Sequence, residues 1–197
     1  MVDIIPMNDS SDIETRIAQR LKSRRETQGL TLEQLAERSA VSRAMISRVE
    51  RGESSPTAAL LGKLCAGLGI TLSSLMAGIE EGGRSVLLKA GAQPFWRDPD
   101  TGFERRAVTP GGTPSPVEIV QGMLPAGARI DYPALNPAHY DQHILGQDGL
   151  LRFHLGEQRF DIGPGDCLYT ALDQPHGFFN PGRKPARYLV IIAKSRG

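Results

Sequence analysis

The sequence predicts a multidomain chain, α first and then β: an N-terminal bundle of five helices followed by a C-terminal antiparallel β-barrel. Three observations carry that prediction. Apolar residues recur at helical spacing, between capping residues and glycines, as far as Met76. Near residue 80 this periodicity gives way to Gly-Ile-Glu-Glu-Gly-Gly-Arg, and residues 78–85 are expected to form a linker. Beyond it, short runs punctuated by Pro and Gly alternate with the two-residue period of strands. The expected bounds are therefore 10–77 for the helical domain and 86–195 for the β domain.

The first three helices have local start and stop signals. Ser11-Asp-Ile-Glu14 offers a capping box for a first helix striped by Ile13, Ile17 and Leu21, which Gly29 can end. Thr31, with Gln34 three residues on, starts a second helix with Leu32, Leu35 and Ala36 on one face, ending near Ser39. Ser42 caps a third, whose buried face is Ile46 and Val49 and whose stop is Gly52. Arg43, Ala44, Ser47 and Arg48 are then left facing outward. Ala58 to Leu68 makes a fourth helix with Leu60, Leu61, Leu64 and Leu68 inward and Gly69 as its stop, and Leu72 to Met76 completes the five.

In the second half, strands are expected over Ser85–Lys89, Phe103–Thr109, Pro116–Leu124, Gln142–Leu145, Leu150–Leu155, Gln158–Ile162, Cys167–Thr170 and Ala186–Ala193. Leu151, Phe153 and Leu155 point one way; Leu150, Arg152 and His154 point the other. Short strands at turn-punctuated spacing suggest a sandwich or barrel.

Composition narrows the function classes. With 197 residues, 40% of them hydrophobic, the chain can bury a core in each of two small domains. No apolar run approaches bilayer length, and the N-terminus lacks the basic start of a secretion signal, so a cytoplasmic protein without a membrane partner is expected. Cys65 and Cys167 fall in different domains and are expected to be small buried residues rather than a disulfide or a thiolate pair. The whole chain is nearly neutral at +1, but residues 12–66 carry ten Lys or Arg against seven Asp or Glu, with Arg38, Arg43, Arg48 and Arg51 around the third helix.

The run from Thr31 to Gly52, with Ala36 small between the helices and Val41 plugging the turn, resembles the helix-turn-helix of Xre/Cro/C1-type regulators. Arg51-Gly-Glu-Ser-Ser-Pro-Thr57 resembles the loop these domains place before their fourth helix. The resemblance implies double-stranded operator DNA as a partner, with the third helix in the major groove. Its DNA-binding residues would be Arg43, Ala44, Ser47 and Arg48, with Thr31 and Ser42 starting helices that present amides to phosphates. The chain departs from the family at Ala40, where glycine is usual.

Pro125-Ala-Gly-Ala-Arg129, Gln142 seven residues before Gly149, Gly163-Pro-Gly-Asp166, and then Pro175-His176 and Asn180 resemble the two signature motifs of a cupin barrel, a jelly roll. A metal-binding cupin would supply two His and one Glu from the first motif. Here the Glu position is Gln142, and the His positions fall on Asn136 and Ala138, or on Leu135 and Pro137 with the spacing one longer. Only His176 remains as an obvious ligand, so no metal and no other cofactor is expected. If Gln142 faces inward, His143 does not. A register shift around Pro133 and Pro137 would bring His139 beside His176, and the sequence leaves that open. His154 is expected to be solvated, and Trp96 to pack under the barrel mouth.

The remaining interior would hydrogen-bond a small polar molecule through Gln142 and His176, with Tyr169, Phe178 and Arg106 as wall residues. No nucleophile with a base, carboxylate pair or phosphate-binding loop is visible, which points away from an enzyme. The combination resembles bacterial regulators joining an Xre-type head to a cupin sensor, and implies a homodimeric, ligand-responsive transcription factor. A cupin metalloenzyme of dioxygenase or isomerase type fused to a DNA-binding domain, and an antitoxin-like DNA-binding protein, are the alternatives.

Overall fold

Four of the helices start at a hydroxyl cap: Thr31 and Ser42, which the sequence marks, and Thr57 and Thr71, which it does not. The computed structural model describes residues 10–76, 86–110, 113, 115–135 and 140–194, so the linker expected at 78–85 lies outside the described residues. Helix α1 spans Ser10–Thr27, α2 Leu32–Ser39, α3 Arg43–Glu50, α4 Ala58–Leu68 and α5 Leu72–Met76. Ser11, expected to cap α1, lies inside it. Thr31 and Gln34 close a capping box on α2, and Ser42, Thr57 and Thr71 accept from the amides of Met45, Leu60 and Ser74. Leu35, Ile46, Leu61 and Leu64 are fully buried between these helices, each contributing about 2–3 kcal/mol relative to exposure. Arg25 of α1 grips Glu50 of α3 through two bonds of 2.7 and 2.8 Å, and donates to the Leu30 carbonyl at 2.9 Å.

The second half forms two facing antiparallel sheets. Strands β1 Phe95–Arg97, β2 Glu104–Ala107, β3 Val117–Leu124, β5 Tyr140–Asp148, β8 Cys167–Ala171 and β10 Ala186–Lys194 make the larger sheet, in the order β1-β2-β3-β10-β5-β8. The smaller contains β4 Arg129–Tyr132, β6 Leu151–Leu155, β7 Gln158–Ile162 and β9 His176–Phe179, in the order β4-β9-β6-β7. The expected barrel is thus two separate sheets rather than one closed ladder among the described residues. The strand expected at Ser85–Lys89 is not one: residues 86–89 are irregular and lead into a 3-10 turn at Ala90–Ala92, while Ser85 lies outside the described residues. No helix among the described residues is long and apolar enough to cross a membrane.

The two halves do not keep separate cores, as composition had suggested. A single buried cluster runs from Ile13, Leu61 and Leu64 through Cys65 to Trp96, Phe153 and Tyr188. The apolar underside of α4 lies on β4, and α1 lies on β1. Gly62 of α4 makes this possible, because a Cβ there would overlap the ring of Tyr132. Asp98, in the turn after β1, accepts from the Ala58 amide at 2.9 Å, so the β half supplies an anion to the N-terminus of α4.

Candidate functional site

Two features of the folded chain can do chemistry: the outer face of α3 and a cavity between helices and sheets. At the first, the Ser42 cap sets the start of α3, and burial of Ile46 and Val49 fixes its rotation. Arg43, Ala44 and Arg48 are exposed, while Ser47 is half-buried. Arg43 pairs with Glu33 of α2 at 2.9 Å, both side chains mostly in solvent. Arg51, past the helix, donates to Ser47 Oγ and holds Glu53 at 2.6 and 2.7 Å. The hydroxyls of Thr31 and Ser42 are engaged as caps, at 3.1 and 3.2 Å from their amides. The turn before α3 is closed by Ala40 in the left-handed region, at φ 53° and ψ 35°.

The cavity, about 90 Å³, lies where α4 and α5 cover the sheets. Gly62, Cys65, Thr71 and Ser73 line it from the helices; Arg105, Tyr132, Gln142, His176, Phe178 and Tyr188 line it from the strands. Phe178 stacks on Tyr188 with centroids 5.3 Å apart, and Tyr132 sits 5.6 Å from His176. His176 Nδ1 faces the Gln174 carbonyl at 3.1 Å, so that nitrogen carries the proton and Nε2 of the neutral ring is an acceptor. Burial pushes the His176 pKa below its ordinary 6.5 and the Cys65 thiol up to about 12. Gln142 is 3% exposed, and its Nε2 has no hydrogen-bond partner.

Three of the four expected ligand-binding residues, Gln142, His176 and Phe178, therefore meet in one cavity. Tyr169 does not: it is 59% exposed on edge strand β8, bonded to Asp141 at 2.9 Å and packed on His143. It shares the face of His143, opposite to Gln142, because their registers pair. Arg106 is also outside, over the Phe95 ring at 5.3 Å. Its neighbour Arg105 faces in, 6% exposed, on the same side as buried Phe103 two residues before it. His154 is not simply solvated but sits 3.1 Å from Asp131. Cys167 is exposed rather than buried. Trp96 is buried and does not line the cavity. Asn136, Pro137, Ala138 and His139 lie outside the described residues.

The second motif's Asn180 ties the sheets structurally. Its Nδ2 donates to the carbonyls of Leu124 and Lys184 at 2.9 and 2.8 Å, and its Oδ1 accepts from Gly182 at 2.9 Å. The described residues that line the cavity do not supply a donor set for a divalent metal. One imidazole and one amide stand beside a guanidinium, and no three His, Cys, Asp or Glu among the described residues come together as a ligand group.

Comparison with known proteins agrees with both halves. A helix-turn-helix family profile matches residues 21–75, and a cupin domain profile matches residues 123–192. The HTH-type transcriptional regulator SutR of Escherichia coli (strain K12) is 39% identical over 179 residues, covering 87% of this chain and 91% of that protein. The crystal structure of an HTH_3 family transcriptional regulator from Vibrio cholerae superposes with a TM-score of 0.75 at 25% identity, over 95% of this chain and all of that one. With an Xre-type head and a cupin half both matched and a relative alike along nearly its whole length, the chain belongs to the DNA-binding helix-turn-helix transcriptional regulators that carry a C-terminal cupin domain.

Proposed function

We propose that this regulator changes its affinity for operator DNA when a small polar molecule occupies the cavity between its helical head and its sheets. The observation that carries this reading is the double lining: Thr71 and Ser73 of the head face the same space as Gln142 and His176 of the cupin half. A molecule that fills it touches both, so its binding energy differs between arrangements of the two. Arg43 and Arg48 read base edges or adjoining phosphates, Ala44 and Ser47 make the close contacts, and the starts of α2 and α3 at Thr31 and Ser42 offer amides to phosphates. One such head covers only a few base pairs, so the chain acts as a homodimer on two half-sites about 34 Å apart. The cupin half supplies the dimer contact, since its sheets end in the edge strands β1, β8, β4 and β7.

The test is operator binding measured by fluorescence anisotropy with and without ligands found by thermal shift. Gln142→Ala and His176→Ala should lose the ligand's effect on operator affinity. A variant that responds as the parent does would remove that residue from the site, and a parent unaffected by any cavity ligand would sink the regulatory reading.

A further inference from the structure

We propose that the cavity is an anion site, in which Arg105 takes the carboxylate of a small monocarboxylic acid whose apolar body lies against Phe178 and the neighbouring aliphatic wall. This rests on the reading of the cavity as the effector site and adds the chemical class of the effector.

Arg105 is a buried charge without its counterpart. It is 6% exposed, and its bonds go to Ser73 Oγ and, at 3.2 Å, to the Met76 thioether, a neutral and a weak acceptor. Among the described residues no carboxylate lies within ion-pair distance of it. Glu118 of β3 acts on it electrostatically, but does not line the cavity. A guanidinium taken out of water is costly unless an anion meets it, and its planar fork of five donors matches a carboxylate.

A second, independent group points the same way. Gln142, on another strand, brings a buried amide donor with no partner into the same lining. One unsatisfied amide donor beside a buried guanidinium held only by neutral acceptors calls for a single anionic acceptor, and the rest of the wall, Val120, Leu135, Val190 and Ile192 among it, calls for hydrocarbon. A volume of about 90 Å³ admits a skeleton of only a few carbons.

The anion would also act on the head. The donors it attracts are those that Arg105 now spends on Ser73 and Met76 of α5, the last helix of the DNA-binding half. A carboxylate on Arg105 therefore competes with the bonds that hold α5 down, and ligand and head position become coupled.

The experiment uses the full chain at constant ionic strength, with sodium isobutyrate and 3-methylbutanoate as probes, isobutyramide as the neutral isostere and sodium chloride as the control. Each carboxylate at about 10 mM should raise Tm by about 3 °C or more, while the amide and chloride should not. Arg105→Met should abolish the shift. Gln142→Glu should abolish it too, by supplying a carboxylate from the wall, and this variant decides the matter if Arg105→Met fails to fold. Glu118→Gln should retain or strengthen it, because a competing negative charge is removed. The anion site is overturned if neither carboxylate shifts Tm, if the amide does so equally, or if Gln142→Glu binds isobutyrate as the parent does. A carboxylate that binds at Arg105 but leaves operator affinity unchanged would retain the site and sink the regulatory reading; a neutral ligand that alters operator affinity would do the reverse.

Discussion

Ala40 stands in the left-handed region at the end of α2, the one non-glycine residue with positive φ among the described residues. Its methyl crowds the backbone there, at a cost of roughly 1 kcal/mol that glycine would not incur. Ala40→Gly should therefore stabilise the protein by about that amount and raise Tm by about 2–4 °C in thermal unfolding; a fall in Tm would mean the turn is not strained. His176 sets a pH limit by the opposite logic. Burial lowers its folded-state pKa below 6.5, so the unfolded chain binds the proton first as pH falls. The stability it contributes is complete above pH 6.5 and is lost below it, down to the lowered folded value, by up to about 1.4 kcal/mol per pH unit. His154, also lowered by burial, adds in the same sense. His176→Phe should flatten the slope of denaturation midpoint against pH below 6.5, and an unchanged slope would assign the acid lability elsewhere.

At the scale of the element, Arg43 of α3, proposed above to contact DNA, is already paired in the free chain. The Arg43–Glu33 pair is exposed on both sides, which makes it weak and easily exchanged for a base or phosphate. Arg43→Ala should cost about 1–3 kcal/mol of operator affinity and relax sequence preference if Arg43 reads a guanine. Equal loss on operator and random DNA in anisotropy titrations would make it a phosphate contact. Glu33→Gln should strengthen binding modestly. The helices were legible because their determinants are local: Thr31 with Gln34, Ser42 and Gly69 state where an element begins or ends within a few residues. The strands were legible where they are long, as in β3, β5 and β10. β1, β4 and β9 span only three or four residues, too short for alternation to stand out beside Pro94, Pro133 and Pro175. The cavity is legible at Gln142 and His176, through motif spacing, but not at β2, where Arg105 and not the expected Arg106 faces in, because one residue along a strand reverses the face. Its helical side was not legible at all, because Ser73 and Thr71 carry no local mark of facing a distant sheet.

For the whole molecule the deciding residue is Gly62. Packing of α4 on Tyr132 joins the two halves into one buried cluster, so the parent should unfold in a single calorimetric transition. Gly62→Ala separates two effects that docking couples. Within α4 the substitution favours the helix by up to about 1 kcal/mol, since glycine is the poorer helix former. At the interface its Cβ would overlap the Tyr132 ring, which packs against the buried cluster and must shift to admit it. If head and sheets communicate through this contact, the variant should show two transitions, with the head's no lower than the parent's, and the change in operator affinity on adding ligand should shrink several-fold. Linkage requires a matching loss in the opposite direction: operator DNA should cease to alter ligand affinity by the same factor. Retention of one transition together with the full ligand response would show that the contact at Gly62 is packing only, and that the signal between cavity and α3 travels by another route.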